Sequence, residues 1–140
     1  NGHELQRWAT IPAGAHNARP FGDGVLFNDT AADVVRVVSR AGERVFPVPR
    51  FPPESLEHLD SGDAKLARQA FARGLCVIDA QTIACGSSPS TISLHGLASG
   101  ARSRMATVSF DVRNAIHGLA VWPFEWPESA VNLPVVPAQR

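Results

Sequence analysis

The chain is poor in sulfur and in lysine, and it has no long apolar run. Two cysteines among 140 residues are too few for a disulfide framework, so the fold has to be held by buried apolar surface. Cys76 and Cys85 stand nine apart on what read as neighbouring strands, which leaves two readings open: a hairpin disulfide, or two small buried hydrophobes with free thiols. No stretch approaches the ~18 consecutive apolar residues of a spanning helix, and no charged-then-apolar leader precedes the first residues. The expectation is a soluble chain, cytoplasmic or periplasmic, with no membrane contact. Charge of either sign is not in excess: Lys+Arg and Asp+Glu are 13 each, so nothing draws the chain to nucleic acid. Lys65 is the single lysine, and arginine supplies the remaining basic residues. The glycine-x-serine-x-glycine order of a nucleophile elbow is also missing. The chain opens on Asn1-Gly2 in place of a methionine, which reads as a processed product or a piece of something longer.

What is present is core material, written twice. Apolar residues make up 44% and charged residues 19%, enough for one domain of this length to bury about two thirds of its unfolded surface. Sliding the chain by 57 places sets His16 on Arg73, Leu26 on Ile83, Asp33 on Ser90, Val35 on Ile92 and Val37 on Leu94 without a gap. A shorter echo follows 44 residues after Arg73, where His117-Gly118-Leu119-Ala120-Val121 stands beside Arg73-Gly74-Leu75-Cys76-Val77. Short apolar runs cut by turn residues, recurring near 44 residues, have the period of a propeller blade.

The spacing predicts an all-β chain of four-stranded antiparallel units at about residues 15–48, 73–110 and 115–136. In the first unit strands are expected at 16–21, 25–28, 34–39 and 44–48, and in the second at 73–78, 82–85, 91–95 and 104–110. A further strand is expected at 4–10, and others at 116–121 and 130–136. One local alternative competes: Thr30-Ala31-Ala32-Asp33 ahead of Val34, Val35, Val37 and Val38, closed by Gly42, also reads as a capped helix over 31–41 in an α/β fold. Its counterpart Ser88-Pro89-Ser90-Thr91-Ile92-Ser93-Leu94 carries a proline, hydroxyl and β-branched residues, and alternating Ile92 and Leu94. That pattern is a strand, and homologous units share one conformation. Residues 49–70, with Pro49, Pro52 and Pro53, interrupt the repeat and read as a rim insertion holding a short helix near 63–70.

The stretches HNARPFGDGVLFNDT, ARGLCVIDAQTIACGSSP and IHGLAVWP resemble bacterial β-propeller repeats of the WD, NHL and arylsulfotransferase-like kind, over about residues 1–122. His16-Asn17-Ala18 is similar to the His-Asp-Ala opening of sulfotransferase blades, while the WD dipeptide and the kelch double glycine are missing. The resemblance implies that each unit's first strand lines a central channel. Two full units and part of a third do not close such a ring. It implies completion by further copies or by another fragment of the parent protein.

His16, Arg73 and His117 hold the same place in three successive units, so the parse puts them on one channel mouth. There they would bind a small molecule or protein, and His16 with His117 are the candidates for a divalent metal. The alternative role for all three is inter-blade hydrogen bonding. Two functions follow: a binding propeller without catalysis, or a propeller-type enzyme, a metal-dependent hydrolase, lyase or group-transfer catalyst using the axis-facing His and Arg. Asp29 and Asp79 read as turn residues, and Gly86-Ser87-Ser88-Pro89-Ser90 as a hairpin turn. Trp8, Trp122 and Trp126 offer either an aromatic subsite or packing. Asn28-Asp29-Thr30 matches a glycosylation acceptor. His3, His58 and His95 have no partner at ligand spacing.

Overall fold

The computed structural model describes residues 10–60, 62 and 67–124. The strand expected at 4–10 in all but its last residue, the first half of the helix expected at 63–70, the strand expected at 130–136, and Trp8 and Trp126 lie outside these residues. Within them the chain forms two four-stranded antiparallel meanders. The first is β1 (Ala15–Phe21), β2 (Gly24–Asp29), β3 (Val34–Ser39) and β4 (Gly42–Pro47), and the second is β5 (Gly74–Asp79), β6 (Thr82–Ser87), β7 (Thr91–Gly96) and β8 (Arg102–Thr107). The only helical element among the described residues is one 3-10 turn, Pro53–Ser55. No helix of these residues is long and apolar enough to cross a membrane.

The helix alternative at 31–41 is overturned. Thr30 to Asp33 form a tight turn, Asp33 adopts φ +58, and the valines that follow alternate between two faces of β3. Val35 and Val37 are buried toward the second sheet while Val34 and Val38 face the other way. Stiff β-branched side chains fit this pleated surface better than a helix.

β3 and β7 stand 57 residues apart, residue for residue. β2 and β6 do not keep that spacing: Val25 pairs with Val38, whereas Thr82 pairs with Gly96, one residue past the image of Val38. The cause is the connection between the strands, which shortens from Thr30–Asp33 to Ser88–Ser90. A one-residue slip turns side chains to the opposite face. Leu26 therefore faces the second sheet while its sequence image Ile83 faces back to the first, and Ala84, the ladder image of Leu26, points the same way along the stack as Leu26 does.

The sheets pack face to face. Leu26, Val35, Val37, Phe46 and Val48 of the first unit meet Leu75, Ile83, Cys85 and Leu97 of the second, with Ala70 and Ala72 of the connection between them. Each such large side chain contributes about 1.5–3 kcal/mol when fully removed from water. Polar bonds cross the same boundary: Asn28 donates Nδ2 to the Gly74 carbonyl at 3.2 Å, Thr30 donates Oγ1 to Ala72 at 2.7 Å, and Arg44 donates Nη1 to Leu97 at 2.8 Å. Asn28 is fully buried by these contacts, so its acceptor motif is closed to a glycan. The thiols are free. Cys76 pairs with Ala84 and Cys85 with Leu75, which points the two side chains to opposite faces of the sheet, and the disulfide reading falls. Burial pushes the Cys85 thiol up to about 12.

Residues 49–60 carry no ladder strand, and residues 67–70 are bends and turns with Ala70 at φ +63, not the end of a helix. The insertion nevertheless clasps the chain beyond β8. Glu57 and Asp111 form an isolated parallel bridge, Phe51 meets Phe110 edge-on at 5.4 Å, and His58 Nδ1 lies 3.3 Å from Asp111. The Arg113 guanidinium beside Asp111 holds that carboxyl down at about 2. The strand expected at 116–121 is absent. The segment is irregular, and at its start Ile116 sits on the facing pair Gly74 and Gly86 on the far face of the second sheet.

Candidate functional site

β1 carries the first site residue, and a bulge aims it. His16 pairs with Asn28 and Arg19 with Leu26, so β1 spends three steps against two of β2, and Asn17 takes φ +55 to absorb the extra residue. Asn17 then donates its Nδ2 to the Arg73 carbonyl across the sheet boundary. The Arg73 N–H donates to Gly86 at 2.9 Å, which leaves the backbone of Arg73 tied to both sheets.

The side chains of His16 and Arg73 meet. Arg73 Nη1 lies 3.4 Å from His16 Nδ1, and because a guanidinium only donates, the imidazole accepts at Nδ1 and carries its proton on Nε2. Burial, then the charge of Arg73, then that of His117 hold the His16 pKa below its ordinary value. His117 is exposed, yet close enough to act on His16 through its charge. Of the three residues predicted to share one mouth, His16 and Arg73 meet, while His117 comes from irregular chain and is not among the residues lining the cleft beside them.

Two residues missed by the sequence reading complete the surroundings. Phe71 is buried, and its ring lies under both guanidiniums, 4.6 Å from the Arg73 Cζ and 5.5 Å from the Arg68 Cζ. Arg68 is anchored by an ion pair to Asp33 and by bonds to the carbonyls of Thr30 and Gln69. Gly14, His16, Thr30, Ala31, Arg68, Phe71 and Arg73 line an open cleft of about 270 Å3. Neither Arg68 nor Phe71 could be found by the repeat, because both lie in the irregular connection ahead of β5.

Among the described residues no three His, Cys, Asp or Glu side chains gather to hold a metal ion. His16 turns its Nδ1 lone pair to the Arg73 guanidinium. Asp29 accepts from the Ala32 N–H at 3.3 Å and Asp79 from the Gln81 N–H at 2.7 Å, the turn roles expected of them. Ser88 to Ser90 make the expected turn between β6 and β7. Trp122 stacks edge-on with Phe124 at 5.3 Å, exposed and outside the cleft lining. His95, left without a role by the sequence, is fully buried between the sheets: its Nε2 bonds Ser93 Oγ at 2.9 Å and its ring meets Phe46.

The fold and the cleft define an all-β protein of two stacked antiparallel meanders with a guanidinium-lined cleft at their first strands. No family model, curated protein or solved structure matches the chain.

Proposed function

We propose that the two sheets are successive blades of a β-propeller, and that the cleft at their first strands binds a small ligand or the exposed group of a partner. The observation that carries this reading is the meeting of His16 in β1 with Arg73, the residue just ahead of its ladder image Gly74 in β5, where both line one open cleft. First strands of neighbouring blades run side by side around a channel, so side chains at the starts of β1 and β5 converge there. The stacking of the two sheets supports the same arrangement. The ring is completed by further copies of this chain or by further units of the parent protein, since blades bury their lateral faces on one another. The enzyme alternative has less support, because the imidazole that would bind a metal faces a cation.

Light scattering of the full chain tests the ring. A mass several times 15.0 kDa supports completion by copies, and a folded, monodisperse species near 15.0 kDa without a partner defeats it.

A further inference from the structure

The charges around the cleft do not balance. Asp33 is shared by two guanidiniums, Arg68 on one oxygen and Arg50 on the other. Arg73 has no carboxylate within ion-pair distance among the described residues; its Nη1 meets only a neutral imidazole nitrogen, and its Nε is buried without a hydrogen-bond partner. Asp29, the other buried carboxylate of this region, is held on the opposite side by Arg36 at 2.8 Å. Of the two guanidiniums that line the cleft, Arg68 therefore shares its carboxylate with Arg50, and Arg73 is left without one. The polar neighbours are also spent: Thr30 Oγ1 donates to Ala72 and Asn17 Nδ2 to Arg73.

Resting on the proposed binding site, we infer that its ligand is a small oxoanion, a carboxylate or a phosphate group, taken by the guanidinium of Arg73. A guanidinium presents paired N–H donors that match two oxygens of such a group, and it is only partly hydrated, so it binds an anion without the cost an ammonium meets. His16 leaves the pairing when the anion arrives, since a negative oxygen is a better acceptor for Arg73 than a neutral nitrogen. Phe71 stays beneath as the apolar floor that keeps the guanidinium in place. Its ring face is already covered by Arg68 and Arg73, so the cleft selects the anionic group and not a planar body attached to it.

The test titrates inorganic phosphate and, separately, acetate into the full chain while backbone amide resonances are followed by NMR. Saturable shifts at residues 14–17, 30–31 and 71–74, weakened about tenfold in Arg73→Gln and less in Arg73→Lys, support the inference. Phosphate alone or acetate alone giving that pattern supports it and fixes the source. Shifts that survive unchanged in Arg73→Gln, or zinc ions shifting His16 where neither anion does, overturn the oxoanion while leaving a binding cleft. No shift at the cleft with any of the three probes overturns both.

Discussion

Val37 and Leu94 occupy the same place in β3 and β7, yet Val37 is sealed between the two sheets and Leu94 lies on the far face of the second, partly exposed. Each sheet thus directs the same face the same way along the stack. Arg44 and Arg104, the ladder partners of Val37 and Leu94, repeat the contrast: Arg44 bonds the Leu97 carbonyl of the next sheet, and Arg104 stands exposed. The far face of the second sheet is the image of a face that the first sheet buries.

Truncation should separate the two positions. Val37→Ala removes methyls from a filled interface and is expected to cost about 2 kcal/mol in urea unfolding. Leu94→Ala should cost less than half of that and instead lower the mass seen by light scattering. Equal losses of stability with no change in mass would contradict the stacking direction.

His95 makes the stack acid-sensitive. Burial, with the charge of Arg102 adding to it, pulls its pKa down from 6.5 to about 4. A pKa depressed in the fold means stability that is present above 6.5 and lost as pH falls toward 4, on the order of 3 kcal/mol for the full shift. The lowered pKa of His16 acts with the same sign. Urea midpoints of the native chain should fall between pH 7.5 and 4.5, and His95→Asn should remove most of that fall.

Gly86 leaves room for the chain after β8. A Cβ there would stand 2.6 Å from Ile116 Cγ2 and 2.7 Å from its carbonyl oxygen. Gly86→Ala should expel Ile116 from the second sheet at a cost of about 1–3 kcal/mol. Because His117 moves with it, the His16 pKa should rise toward its ordinary value, which imidazole proton shifts against pH would show.

The eight described strands were legible because apolar alternation and paired turn residues recur at one spacing, and β-branched Val34 to Val38 overrule the helical capping signal. The slip between β2 and β6 was not legible. Leu26 falls on Ile83 in an ungapped alignment, apolar on apolar, and nothing in that match reveals that the turn after β6 lost a residue. Of the site, His16, Arg73 and His117 were visible as equal places in a repeat. Arg68 and Phe71 were hidden in an interruption that read as rim decoration, and Asn17 depends on a bulge that only the pairing of His16 and Arg19 exposes.

The contact between His16 and Arg73 is where the account is most directly testable. Nitrogen-15 spectra of the His16 imidazole report which ring nitrogen carries the proton. The geometry predicts the proton on Nε2 and a depressed pKa that rises in Arg73→Gln, as a positive neighbour is lost. A proton on Nδ1, or a pKa that does not move in Arg73→Gln, would contradict the convergence of the two first strands on one cleft.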